Sequence, residues 1–303
     1  MYFTSLPNHK TPGFNEALHF SKFKKYNIVF NALSDKSNCE RHVGCLSLKT
    51  VLSGEEWYTI DHRRIAVRPG QFLMLNNDQE YSCSIEGPEK TVIRSVFFRE
   101  EFANKVLRDM LCSEDTLLDT YADTEEKKPE FFQTLSAIDF ALQQKLQNLI
   151  TVLDEFGYDT HMVEEHLLFL LYDLIRKHKT ALGYTRKVKA LKPGTRVEIY
   201  KRLCMAKDFM HSTFMDKQGL HMITHTACLS TPQLTRQFKA VFKITPHQYL
   251  TQIRLGHAER LLKQSDMPVH EITRACGFEN TSAFCRLFRK AYGISPQNFR
   301  TIN

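Results

Sequence analysis

Two hydrophobic rhythms divide the chain. Between residues 28 and 98 apolar positions fall into short runs broken by turn residues: 45–52 before Ser53-Gly54, 57–60 before the polar stretch 61–64, 65–67 before Pro69-Gly70, and 72–75 before 76–80. Runs at 81–85 and 91–98, separated by a Gly-Pro turn at 86–89, continue the series. Strand-length runs with a turn signal about every ten residues predict an antiparallel sandwich or small barrel, a jelly roll included. Beyond Arg99 the apolar spacing changes to three and four, which predicts helices over 101–111, 131–144 and 162–179. In the last of these Leu167, Leu168, Leu170, Leu171, Leu174 and Ile175 cover more than one helix face. The surplus is either domain core or a dimer seam.

Residues 180–195, with Gly183 and Pro193-Gly194, read as a linker. From there the pattern is almost continuously helical, with helices expected at 197–212, 220–226, 231–242, 246–264, 269–276 and 280–292. Ser230-Thr231-Pro232 starts one of them. Thr245-Pro246-His247-Gln248 has the form of a capping box with proline in the first turn, and it launches the longest.

A repeat runs through this region. Leu234, Arg236, Phe238, Lys239, Phe242, Ile244, Pro246 and Tyr249 are matched 50 positions later by Phe284, Arg286, Phe288, Arg289, Tyr292, Ile294, Pro296 and Phe299. At 100° per residue Leu234, Phe238, Val241 and Phe242 share one side of their helix, while Pro232, Arg236, Lys239 and Lys243 lie within about 40° of the opposite pole. The second copy turns Phe284, Phe288, Ala291 and Tyr292 inward and Ser282, Arg286, Arg289 and Lys290 outward. A repeat that preserves both faces is one structural unit used twice.

Charge distribution sharpens the picture. The chain of 303 residues has a formal net charge of +7, but residues 186–303 hold 20 Lys and Arg against 7 Asp and Glu, a net +13, leaving −6 on the rest. A basic domain binds nucleic acid by displacing counterions from phosphates. A helix presenting mid-length arginine fits a DNA major groove, where arginine can bond guanine twice and lysine can neutralise phosphate. A 19-residue connecting helix over 246–264 would span about 28 Å, near the ~34 Å between successive major-groove faces. The remaining composition is ordinary for a globular protein: 42% hydrophobic and 25% charged. No apolar run approaches the roughly 20 residues of a membrane span and 1–21 lacks a signal-peptide layout, so the expected location is the cytoplasm. The eight cysteines form no Cys-x-x-Cys pair, and thiols are expected to be reduced, with no metal and no cofactor.

Residues 197–300 resemble the DNA-binding domain of the AraC/XylS family of bacterial transcription regulators. The residues carrying the likeness include Ser230, Leu234, Arg236, Phe238, Lys239, Thr245-Pro246, Tyr249, Arg254, Ala258, Leu261-Leu262, Glu271-Ile272, Gly277-Phe278, Ser282, Phe284, Arg286, Phe288, Tyr292 to Pro296, and Phe299-Arg300. The resemblance implies an all-α domain over 196–303 with two helix-turn-helix motifs, about 220–242 and 269–292, joined by a long helix. It places DNA contacts at Pro232, Gln233, Thr235, Arg236 and Lys239 in the first copy, and at Asn280, Thr281, Ser282, Cys285, Arg286 and Arg289 in the second. Thr224 and Thr273 depart from the family's usual alanine, and Lys243 replaces an expected glycine.

Residues 1–179 resemble, more distantly, the cupin-like sensor domains of the same family, with Pro69-Gly70 before an apolar strand as the point of contact. The expected fold class is therefore multidomain α+β: an antiparallel barrel with a helical extension, then the all-α DNA reader. His42 and His62 are isolated and Tyr81 stands where a metal-binding cupin would place a later histidine, so metal catalysis is not expected. Arg41, His42, Trp57, Tyr81 and Arg94 are the candidate effector contacts, each also explicable as a structural residue. The leading expectation is a homodimer formed through helices in 131–179, binding double-stranded promoter or operator DNA as an activator gated by a small molecule. RNA polymerase is a partner by family analogy. The same reader controlled by a protein partner is the alternative. A third class is enzymatic, a metal cupin or a DNA-repair enzyme using Cys285.

Overall fold

The computed structural model describes residues 1–7, 13–86, 90–111, 130–216 and 219–302. It divides into two units, Met1–Gly183 and Tyr184–Asn303.

In the first unit the elements are β1 (Tyr2–Phe3), α1 (Glu16–Lys25), β2 (Ile28–Ser34), β3 (Ser37–Val43), β4 (Ser47–Ser53), β5 (Glu56–Ile60), β6 (Arg63–Val67), β7 (Gln71–Leu75), β8 (Glu80–Ile85), β9 (Thr91–Phe97), α2 (Glu100–Leu111), β10 (Ser136–Ala137), α3 (Phe140–Phe156) and α4 (Thr160–Thr185). Among the described residues they form a six-stranded sheet in the order β1-β2-β9-β4-β7-β10 and a four-stranded sheet in the order β3-β8-β5-β6. All pairings are antiparallel except β1 with β2. The barrel alternative is corrected here: among the described residues the outermost strands of each sheet pair with no strand of the other, leaving two open sheets.

The larger sheet is buried on both faces, which explains why its strands read as apolar runs rather than as alternation. Leu48, Met74 and Val96 share a core with Leu146, Leu149 and Leu153 of α3 and Leu167, Leu171 and Leu174 of α4. Leu73 and Leu75 point the other way, into a second core with Tyr58, Ile60, Ile65 and Tyr81 of the smaller sheet. Asp61 and His62, both at positive φ, close the β5–β6 hairpin.

The helix expected at 131–144 is displaced. Residues 131–135 are not helical, because the backbone of Phe131 is clamped in both directions by the Asn76 side chain (2.8 and 3.0 Å) and Ser136–Ala137 pairs with β7. The helix begins at Phe140, capped by Asp139, which accepts from the Leu142 amide at 3.0 Å. The open question about α4 is also answered in part. Leu167, Leu170, Leu171, Leu174 and Ile175 are core, whereas Leu168, Phe169 and Tyr172 are 38%, 56% and 50% exposed.

The second unit contains α5 (Pro193–Thr213), α6 (Leu220–Ala227), α7 (Thr231–Phe242), α8 (Pro246–Gln264), α9 (Val269–Ala275), α10 (Thr281–Tyr292) and α11 (Pro296–Ile302). The linker expected at 180–195 is shorter than that: α4 continues to Thr185, and Pro193-Gly194 open α5, as proline in a first turn allows. Two aromatic cores repeat the 50-residue motif in space. In the first, Phe238 packs on Phe242 at 4.5 Å and on Tyr249 at 5.5 Å. In the second, Phe288 packs on Tyr292 at 4.4 Å and on Phe299 at 5.4 Å. The capping box forms as expected, with Thr245 and Gln248 exchanging bonds at 2.9 and 3.2 Å.

Candidate nucleic-acid interface

The helix α7 is fixed by what it buries. Leu234 and Phe238 are fully buried and Val241 nearly so, which leaves Pro232, Arg236, Lys239 and Lys243 exposed on the other side. Gln233 and Thr235 are half-buried at its edges. In α10 the anchors are Phe284 and Phe288, and Thr281, Ser282, Arg286, Arg289 and Lys290 are exposed. Ala291, expected inward, is exposed, while Phe288 and Tyr292 pack on Phe299 of α11. Cys285 is half-buried against the second core, a packing position rather than a displayed thiol.

Among the described residues none of Arg236, Lys239, Arg286, Arg289 and Lys290 is in an ion pair. Elsewhere in the same unit cations are engaged: Lys263 pairs with Glu259 at 2.8 Å and Arg202 with Glu198 at 2.9 Å. Both repeated faces thus present cations that no carboxylate of the described residues engages. Asn280 differs from the other expected contacts, since its Oδ1 accepts from the Ser282 and Ala283 amides at 2.8 and 3.1 Å as the N-cap of α10.

The turns show why these sequences hold the two motifs. Gly277 sits at φ +75°, and a Cβ there would lie 2.6 Å from the Phe214 carbonyl oxygen. Arg254 of α8 donates from Nε to that same carbonyl at 2.8 Å and from Nη2 to the Asp216 carbonyl at 3.1 Å. The connecting helix is thereby tied to the end of α5 and to the turn of the second motif. In the first motif, which lacks the glycines, Cys228 (φ 49°) and Lys243 (φ 67°) take the left-handed conformation themselves. Thr224 and Thr273, the departures from alanine, are tolerated because their hydroxyls donate to the His221 and Val269 carbonyls at 2.7 and 2.8 Å.

Three residues of this face were not anticipated. Gln237, only 1% exposed, donates to the Lys189 carbonyl and accepts from the Lys189 amide, both at 3.0 Å. This holds Lys187 and Lys189 beside α7, where they line a groove of about 800 Å³ with Thr231, Pro232, Arg236 and Lys239. The available signal was a glutamine on the apolar side of α7, between Leu234 and Val241.

A helix-turn-helix domain family matches residues 223–302, from within α6 to the end of α11. The probable transcriptional regulator LumQ of Photobacterium leiognathi is 23% identical over 266 residues, 88% of this chain and 93% of LumQ. The HTH-type transcriptional activator RhaS of Escherichia coli is 32% identical over 99 residues, 33% of this chain, and the match spans 36% of RhaS. The second unit is a helix-turn-helix domain of the AraC/XylS type of transcription regulator. Among solved structures, the C-terminal domain of AraT, a response regulator from Geobacillus stearothermophilus, is 27% identical, with a TM-score of 0.33 over 34% of this chain and 85% of that one. The match to this AraC/XylS-type domain encloses both α7 and α10.

The five candidate effector contacts are not brought together. His42 and Tyr81 line a cavity of about 460 Å³ in the first unit, their rings 4.4 Å apart. Arg41 points to solvent, paired with Glu80. Trp57 lies on the opposite face of β5 from Tyr58, under the Arg64 guanidinium at 4.3 Å and donating to Glu55 at 2.9 Å. Arg94 faces α3, where Nη1 donates to Gln147 at 3.5 Å. Alternation along a strand, invisible without knowing which face is inside, separates these three from the cavity.

Proposed function

We propose that the protein is a sequence-specific regulator of transcription in which α7 and α10 enter successive major-groove segments of one duplex, under control of a small molecule held in the first unit. The observation that carries the DNA reading is the pair of exposed arginines, Arg236 and Arg286, at the same position of two helices whose opposite faces are aromatic core. Arg236, Thr235 and Gln233 supply base contacts in the first motif, and Arg286, Ser282 and Thr281 in the second. Lys187, Lys189, Lys239 and Arg289 neutralise phosphates. Footprinting of genomic targets with Arg236→Ala and Arg286→Ala tests the assignment. Each substitution should cost about 1–3 kcal/mol and relax sequence preference in one half of the footprint. Affinity and preference unchanged in both variants would defeat it.

Activation and gating by an effector follow from the same reading. The cavity's volume falls within the usual range for small-molecule sites. The exposed stripe Leu168, Phe169 and Tyr172 on α4 is the surface on which the homodimer reading rests. Phe169→Glu should halve the sedimenting mass of the full chain. An unchanged mass would remove α4 from the interface.

A further inference from the structure

We infer that Cys39 and Cys83 are a modification site, a dithiol that a hydroperoxide converts to a disulfide between β3 and β8. The two residues are directly opposite in the antiparallel ladder, with Asn38 opposite Ser84 and Ser37 opposite Ile85. Opposed residues of such a ladder have Cα atoms about 4.5–5.5 Å apart, inside the roughly 4.4–6.8 Å that a disulfide spans. Both side chains line the cavity of about 460 Å³, and both are reduced.

A third residue reaches this pair through a bulge. Between Cys39 and His42 the register shifts, so that His42 stands opposite Tyr81. In a regular strand their odd separation would put His42 on the other face, and the extra residue brings it to the side of Cys39. The His42 Nδ1 lies 2.8 Å from the Glu40 carbonyl oxygen, which can only accept, so Nδ1 carries the proton. The same nitrogen is 3.4 Å from the Cys39 sulfur, which is therefore an acceptor. Stacking on Phe20 at 4.5 Å and an edge contact with Tyr81 at 4.4 Å hold the ring there.

The two sulfurs are not equivalent. Cys83 donates its S–H to Cys39, and that bond, with burial, holds the Cys83 thiol well above the ordinary range. Cys39 accepts from two donors, a setting that favours its thiolate, and the buried Lys49 ammonium acts in the same direction. Cys45 lines the same cavity but packs with Phe23, Phe30 and Phe97, and burial pushes its thiol up to about 11. Among the described residues no three His, Cys, Asp or Glu side chains converge closely enough to hold a metal ion, which sets this cluster apart from a cysteine–histidine zinc site.

The chemistry follows from this division. The Cys39 sulfur attacks one oxygen of the hydroperoxide, the O–O bond breaks, and the thiol proton leaves with the departing oxygen as water or an alcohol. The Cys83 sulfur then attacks the resulting sulfenic acid, and the hydroxyl leaves with the Cys83 proton as water. The two thiols lose two electrons in all and the peroxide gains them. The new bond pins β3, the outermost strand of the smaller sheet, to β8, so one wall of the cavity responds to oxidant.

The test treats the full-length protein with a small excess of hydrogen peroxide and maps its peptides without reduction. A peptide linking Cys39 to Cys83 should accumulate, and dithiothreitol should return it to thiols. In Cys83→Ser, dimedone should trap a sulfenic acid on Cys39, whereas in Cys39→Ser none should be trapped on Cys83. His42→Phe, which keeps the ring packing and removes the N–H, should slow the cross-link about three- to tenfold, the worth of one hydrogen bond. Cys39 and Cys83 both still reduced once the exposed Cys228 is fully oxidised, or Cys39 linked to Cys45 instead, would overturn the site. Trapping on Cys83, or an unchanged rate in His42→Phe, would overturn the assignment of Cys39 as the attacking thiol.

Discussion

Gln237 and Lys189, 48 residues apart, exchange two hydrogen bonds of 3.0 Å, so one buried side chain completes the backbone of a segment that carries two cations to the face of α7. A polar residue on a core face is costly unless it is paired, and here the pairing is double. Gln237→Leu leaves the Lys189 amide and carbonyl without partners and should cost the second unit about 1–3 kcal/mol in denaturant melts. Lys187 and Lys189 would also be released from the groove. The slope of log affinity against log salt should then shrink by about one to two units. An unchanged slope would mean that neither lysine reaches phosphate.

Lys243 separates backbone strain from charge. It occupies the left-handed region at φ 67° where a glycine would be relaxed, and its exposed side chain lines the same groove. Lys243→Gly should raise stability by up to about 1 kcal/mol while weakening DNA binding. Lys243→Ala should weaken DNA binding equally without the stability gain. Equal affinity in all three proteins would place Lys243 away from the duplex.

The two glycines at positive φ in the second motif make a controlled comparison. An alanine Cβ at Gly277 meets the Phe214 carbonyl at 2.6 Å, whereas Gly293, at φ +82°, has nothing within 4 Å of that position. Gly293→Ala carries conformational strain alone and should cost about 1 kcal/mol. Gly277→Ala adds a backbone clash and should cost more than about 2 kcal/mol. It should also loosen the seat of Arg254, weakening DNA binding in the half of the footprint that Arg286→Ala affects. Equal costs at the two sites would show that the end of α5 yields to the added methyl.

What the sequence made legible follows the periodicities. In the second unit burial recurs every three to four residues with proline and capping signals between helices, so α7 and α8 lie within their expected bounds and the inward aromatics were identifiable. In the first unit the strands were visible but their faces were not. A sheet buried on both sides leaves no polar alternation to tell Tyr81, which lines the cavity, from Trp57 and Arg94, which do not. Lys49 was overlooked for the same reason, as one charge inside an apolar run. The start of α3 was misplaced because residues 131–135 are apolar for reasons of sheet packing: Leu135 belongs to the core between the sheets, and Phe131 is fixed by Asn76. Gln237 stood out as a polar residue on the apolar side of α7, but its role needed its partner, 48 residues away, beside it.

His178 supplies a pH test of the first unit. Its ring packs between Phe131 and Phe132 at 5.2 and 4.9 Å, and Nδ1 accepts from the Phe132 amide at 3.5 Å, a role open only to the neutral ring. Burial pushes its pKa below the ordinary 6.5, with the Glu130 carboxylate opposing the shift. On acidification the unfolded chain therefore takes up this proton first, and stability falls as pH drops through 6.5 until the folded-state value is passed. His178→Gln keeps an acceptor for the Phe132 amide and removes the titration. Thermal melts of the full chain between about pH 7.5 and pH 5 should show a shallower acid-side loss in the variant than in the unmodified protein. Parallel curves would mean that His178 is protonated as readily in the fold as out of it, and that the contact with Phe132 does not hold the ring neutral.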